Sequence, residues 1–101
     1  LSDRQFQFEW DEGKAAANIR KHGVSFELAS SVFADPRLLS VADLEHGEAE
    51  EHWFSAGCAV NGAILSVVYI WHEIDQAITK IRLISARQAS RSEILFYEEN
   101  L

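Results

Sequence analysis

The side chains in this chain with the most to offer chemically are cationic or titratable near neutral pH. Lys21 and His22 stand together just before Gly23, while His72, Arg82, Arg87 and Arg91 follow one another toward the C-terminal end. An imidazole exchanges protons near neutral pH, and a guanidinium grips a phosphate through two parallel hydrogen bonds. Such groups suit cleavage of a ribose–phosphate backbone without a metal. Attack of a ribose 2′-OH on the neighbouring phosphate needs a base, an acid for the leaving oxygen, and cations on the developing charge. On that chemistry Lys21, Arg82 and Arg87 would hold phosphate, and His22 or His72 would move protons. Tyr69 and Trp71 offer ring faces for stacking bases, and Arg91 would add a further RNA contact.

Each of these residues has a structural counterpart. Lys21 and His22 can satisfy the last carbonyls of a helix, and Arg87 can pair with Glu93 or Glu98. Arg82 lies among apolar residues in Ile81-Arg82-Leu83-Ile84, where its stem would pack and its head would need a partner. Tyr69 and Trp71 have the ordinary alternative of core or interface packing. His22, His46, His52, His72 and Cys58 show neither His-x-x-x-His nor Cys-x-x-Cys spacing. No metal or cofactor is therefore expected, and a Cys58–His nucleophilic pair has no support. The glycines occur singly, so a phosphate-cradling loop is absent.

The elements that must position these groups can be read from periodicity. Gln5 to Trp10 alternates polar and aromatic residues, which predicts a half-buried strand with Phe6, Phe8 and Trp10 on one face. Asp11 is a candidate N-cap for a helix from about Glu12 to His22, with acids in the first turn and Arg20, Lys21 and His22 in the last. Gly23 should stop it in the left-handed conformation. Ser25 can cap a second helix to about Ala34, ended by Asp35-Pro36. Strands are predicted over Leu38 to Leu44, His52 to Val60, Ala63 to Trp71 and Ile78 to Ala86. A polar loop at Glu45 to Glu50, a type I′ turn at Asn61-Gly62 and a bend at Glu73 to Gln76 separate them. Ser90-Arg91-Ser92-Glu93 reads as a capping box opening a last helix to about Glu99. The order β-α-α-β-β-β-β-α predicts an α+β fold, a curved antiparallel sheet with helices mainly on one face.

Bulk properties narrow the setting. A chain of 101 residues with 48% apolar content should form one folded domain over residues 1–101. No apolar run approaches the length of a membrane span, and Leu1 to Arg4 lead straight into the first strand without a signal-peptide pattern. With its lone Cys58, the chain reads as a soluble cytoplasmic protein. Nine basic against sixteen acidic side chains give a net charge of −7, the wrong sign for a simple nucleic-acid binder. Distribution softens this, because Leu38 to Thr79 contains no Lys or Arg at all. If the two basic end segments converge, a local positive site survives within an acidic average.

Two motifs carry a family resemblance. The first is Trp10, Asp11, Lys14 and Asn18, followed by Lys21-His22-Gly23-Val24 and Phe26. The second is Ile81-Arg82-Leu83-Ile84-Ser85-Ala86-Arg87, followed by Ala89, Arg91, Glu93 and Tyr97. In these the chain resembles the BrnT family of small bacterial ribonuclease toxins. The resemblance implies a RelE-like fold, a BrnA-like DNA-binding antitoxin as partner, contact with DNA only through that antitoxin, and a toxin–antitoxin hetero-oligomer. The middle departs from the family pattern. Relatives often read Glu-Glu-Arg-Phe where this chain has Glu51-His52-Trp53-Phe54. Cys58 and His72 also stand at or near positions where a basic residue is common. Replacing Arg by His keeps a proton carrier but loses the permanent charge and the planar fork.

Two functions follow as expectations. The first is a metal-independent endoribonuclease that inhibits translation and is neutralised by its antitoxin. The second is a catalytically weakened or inactive module of the same fold that binds the antitoxin and takes part in promoter autoregulation. A basic pocket framed by Lys21, Arg82 and Arg87 would favour the first, and dispersal of those residues over different faces the second.

Overall fold

In the computed structural model, which describes residues 5–42 and 51–99, the expected α+β order is present. β1 (Gln5–Glu9) leads into α1 (Glu12–His22), then α2 (Phe26–Ser30) and a 3₁₀ turn at Ser31–Ala34. β2 (Leu39–Ala42), β3 (Glu51–Cys58), β4 (Ile64–Glu73), β5 (Ile78–Gln88) and α3 (Arg91–Glu99) follow. The predicted loop at Glu45 to Glu50 and the end of the predicted second strand, beyond Ala42, lie outside the described residues.

The local signals act as physical chemistry requires. Asp11 Oδ2 accepts the Lys14 amide at 2.9 Å and starts α1. Gly23, at φ 69°, ends it by donating to the Ile19 carbonyl at 2.8 Å. Ser25 caps α2 through the Leu28 amide at 3.0 Å. The predicted single helix to Ala34 instead tightens into a 3₁₀ turn. Ser30 and Ser31 return their hydroxyls to the Glu27 and Leu28 carbonyls at 2.7 and 2.6 Å, an alternative that competes with regular helix. At α3 the capping box forms in both directions: Glu93 donates its amide to Ser90 Oγ at 3.2 Å, and the Ser90 amide donates to Glu93 Oε1 at 2.8 Å.

The sheet has the order β1-β5-β4-β3-β2. β2 to β5 form the expected antiparallel meander, but β1 joins β5 in parallel, with Phe8 opposite Ile81 and Glu9 opposite Arg82, so the sheet is mixed. A strand tied to the meander only through helices is free of the hairpin constraint that forces antiparallel pairing. The β3–β4 hairpin also differs from the predicted type I′ turn. Gly62 alone has positive φ, 88°, while its amide donates to Ala59 and the Ala59 amide donates to Ala63. This is a three-residue loop, in which Val60 and Asn61 keep ordinary φ and only Gly62 takes the left-handed position.

α1 and α2 cover one face of the sheet. Phe26, Ala29 and Val32 pack there with Leu65, Val67, Tyr69, Ile81, Leu83 and Ala86. A bulge on β5 keeps this face continuous: Tyr69 pairs with Leu83 but Val68 with Ser85, leaving Ile84 extra. Burial therefore passes from Thr79, Ile81 and Leu83 to Ala86 without a change of face. Gly57 lets the 3₁₀ turn approach β3, since a Cβ there would stand 2.6 Å from Leu38 Cδ1 and 3.1 Å from Val32 Cβ. α3 lies on the opposite face, tied through Ser66 and Arg87 to Glu93 and through Tyr97 to Asp35. No helix among the described residues is long and apolar enough to cross a membrane.

Candidate active site

The α3 side of the sheet carries Gln7, Glu9, Ile70, His72, Lys80 and Arg82 at its β1–β5–β4 end. Antiparallel register sets Arg82 beside Ile70 and Lys80 beside His72, and the parallel β1 adds Glu9 beside Arg82. Alternation then points these side chains to one face. Glu9, Ile70, His72, Lys80 and Arg82 line a cleft of about 200 Å³ there. Lys80 Nζ lies 3.9 Å from Glu9 Oε1, and both side chains are 41% exposed. Such a surface pair contributes at most about 1 kcal/mol. Arg82 makes no ion pair among the described residues, so its guanidinium is available to a ligand. His52 continues the same cross-strand row through its pairing with Ile70.

Lys21 and His22 are elsewhere. They line a second cleft, about 160 Å³, with Lys14, Ala17 and Asn18 of α1 and Ile84 and Ser85 of the β5 bulge. Asn18 builds its wall. Buried to 5% exposure, it donates to Val24 O at 2.9 Å and Ala86 O at 2.7 Å, and accepts the Ala86 amide at 3.1 Å. Its amide thus continues the pairing of β5 where β1 has ended.

Arg87 joins neither cleft. Its Nη1 and Nη2 donate to Glu93 Oε1 and Oε2 at 2.7 and 2.8 Å, a bidentate pair strengthened by Ser66 Oγ donating to Glu93 at 2.8 Å. The Arg87 hydrogen bonds, with help from the Ser90 amide and Ser66, hold the Glu93 carboxyl at about 2 despite burial acting the other way. Arg87 is raised above its ordinary value, first by the same hydrogen bonds. The pair is the Arg87–Glu93 contact that the sequence left open beside phosphate binding.

Tyr69 is 2% exposed and therefore has no face free for a base. Its hydroxyl lies 2.6 Å from Ser55 Oγ, which is 2.7 Å from Ser40 Oγ, and its ring meets Phe33 edge-on at 4.8 Å. With Ser40, Trp53 and Trp71 it borders a third, largely apolar cleft of about 170 Å³ on the face that α1 and α2 cover. Alternation sends odd-numbered β4 residues to the face away from Arg82, so Tyr69, expected as a ring for stacking a base, lies apart from the Arg82 cleft. Arg91 is exposed at the start of α3 and lines none of these clefts.

The sites hence divide. His72 and Arg82 come together, Lys21 and His22 form a separate pair, and Arg87 is bound by Glu93. Sequence reading missed Glu9 and Lys80 in the first cleft and Lys14 and Ser85 in the second. Glu9 was signalled by its place on the polar side of the Gln-Phe-Gln-Phe-Glu alternation. Lys80 was signalled by its spacing of two from Arg82 on one strand. Among the described residues no three His, Cys, Asp or Glu side chains converge to hold a metal ion.

Residues 10–93 match the family described as "Ribonuclease toxin, BrnT, of type II toxin-antitoxin system". The chain belongs to the BrnT family. The crystal structure of the Brucella abortus ribonuclease toxin BrnT superposes with a TM-score of 0.60 at 21% identity, covering 86% of this chain and all of that one. At that identity the likeness speaks for the fold. No curated protein matches the chain. Membership in this BrnT family makes the protein a toxin of a type II system, which implies an antitoxin partner and an RNA target.

Proposed function

We propose that the protein is a metal-independent endoribonuclease whose reaction takes place in the Glu9–His72–Lys80–Arg82 cleft. The observation that carries this reading is the convergence of a carboxylate, an imidazole, an ammonium and a guanidinium without an ion pair among the described residues around one opening. In this mechanism the Glu9 carboxylate takes the proton from a ribose 2′-OH. The 2′ oxygen forms its bond to phosphorus as the bond from phosphorus to the 5′ oxygen breaks, and protonated His72 gives its proton to that leaving oxygen. Arg82 and Lys80 hold the non-bridging oxygens, where charge accumulates in the transition state. The products are a 2′,3′-cyclic phosphate and a 5′-hydroxyl. Because one group must be deprotonated and the other protonated, the rate should trace a bell against pH.

The activity would be held in check by a BrnA-like DNA-binding antitoxin in a hetero-oligomer, the toxin touching DNA only through it. The −7 charge suits a partner with a basic segment.

The test is purified protein on labelled single-stranded RNA with EDTA, beside His72→Ala. Cleavage to cyclic-phosphate ends in EDTA, reduced at least about 100-fold in the variant, is the expected result. Full activity in folded His72→Ala would overturn the assignment. The second reading, an inactive antitoxin-binding module, draws on the separation of Lys21, Arg82 and Arg87. Folded wild-type protein that binds antitoxin but cleaves no RNA would establish it.

A further inference from the structure

Resting on the proposed reaction at Arg82, we infer that the cleft between α1 and β5 is a separate phosphate subsite. It would hold the same RNA strand away from the scissile bond, through Lys14 and Lys21.

Four observations converge on this. First, Lys14, Ala17 and Lys21 recur along one side of α1, and this side faces the bulge at Ile84 and Ser85. Second, the cleft contains cationic and neutral groups only: no described residue lining it is a carboxylate. Neither lysine forms an ion pair among the described residues, although the chain carries seven more acidic than basic side chains. Third, helix stability explains only part of this charge. Lys21 and His22 suit the negative C-terminal end of α1, but Lys14 lies in the first turn, where a cation is electrostatically disfavoured. Fourth, the cleft is rigidly built. The three hydrogen bonds of buried Asn18 fix α1 against Ala86, so the lysines project from a fixed wall.

The position relative to Arg82 suits one continuous strand. Ser85 pairs with Val68 and Arg82 with Ile70, positions that share a face of β4. Because Ile84 is the bulge residue, the two positions are only two steps apart along β4, roughly 7 Å. A stacked nucleic-acid strand carries a charge about every 3.4 Å of its axis, so the sites fall within roughly three nucleotides. The division of labour is specific: the Arg82 cleft acts on the reacting phosphate, and the α1–β5 cleft sets where along the strand that phosphate falls.

The probe is a fluorescent single-stranded RNA hexamer made uncleavable by 2′-O-methyl groups, titrated at several salt concentrations. Wild type is compared with Lys14→Ala/Lys21→Ala and with Lys14→Arg/Lys21→Arg. Two lost phosphate contacts should weaken binding about 10-fold or more and lower the slope of log affinity against log salt by about 1.4. The arginine variant should restore both. With a cleavable hexamer the alanine variant should raise KM while kcat stays within about twofold. Unaltered affinity and salt slope in the alanine variant, with wild type binding normally, would overturn the subsite alone. Folded wild-type protein that neither binds nor cleaves RNA would overturn the ribonuclease reading together with it.

Discussion

Arg82 and Arg87 lie on the same strand and the same face, yet their surroundings are opposite. Arg82 stands at the end of β5 that pairs with β1, above a cleft, with no ion pair among the described residues. Arg87 stands past the bulge, beneath α3, with both terminal nitrogens bound to Glu93. The difference is what covers the strand. Where α3 packs, Glu93 comes within reach and takes both terminal nitrogens of Arg87; where the sheet is open, no described carboxylate pairs with Arg82. Five residues of separation thus divide β5 into a half that lines an open cleft and a half fastened to α3.

The sharpest way to break this comparison is to remove each guanidinium in turn. Arg82→Ala should lower kcat/KM by about 100- to 1,000-fold, roughly 3–4 kcal/mol of transition-state stabilisation, with little change in melting temperature. Arg87→Ala should do the reverse, lowering the melting temperature by about 10 °C while activity at low temperature stays within a few-fold. Equal activity losses in the two variants, with both folded, would show that the halves are not distinct.

Next in size is the fastening of the β5 edge. Asn18→Ala removes three buried hydrogen bonds and leaves the Ala86 amide and carbonyl without their partner. A loss of about 3 kcal/mol is expected by denaturant unfolding. A change below about 1 kcal/mol would mean that α1 is held by its apolar contacts alone.

The smallest effect concerns acid stability. Glu93 falls from its ordinary 4.5 to about 2 in the folded protein, chiefly through Arg87, so it stabilises the fold when ionised. That contribution is complete above the unfolded value and is lost as pH falls from about 4.5 toward 2. Because the Arg87 side chain is 43% exposed, the pair is screened and worth about 1 kcal/mol. Glu93→Gln should therefore destabilise at pH 7 and flatten the acid limb of a melting-temperature profile. A weaker acid step should persist from Asp35. Burial raises its carboxyl, but hydrogen bonds from Tyr97 and from the Cys58 and Arg37 amides, with the Arg37 charge, bring it below its ordinary value. The same contact, together with burial, lifts the Tyr97 hydroxyl to about 12. An acid limb unchanged by Glu93→Gln would assign the titration elsewhere.

The sequence by itself determined what is local. Asp11, Ser25 and Ser90 cap helices because their oxygens reach amides three residues on. Gly23 stops α1 because it accepts a left-handed backbone, and the alternation of Gln5 to Glu9 made a strand. The family was legible for the same reason, since its motifs are contiguous. Only the tertiary structure decided what depends on pairing between distant segments. Parallel addition of β1 set Glu9 opposite Arg82, a juxtaposition with no trace in local spacing. The bulge at Ile84 broke the period of two that would have set Arg82 and Arg87 on opposite faces. Burial under helices turned Tyr69 from a candidate base platform into core, and α3 turned Arg87 from a phosphate ligand into half of an ion pair. Short-range hydrogen bonding is written residue by residue, whereas the company a charge keeps is set by which strands and helices finally lie against it.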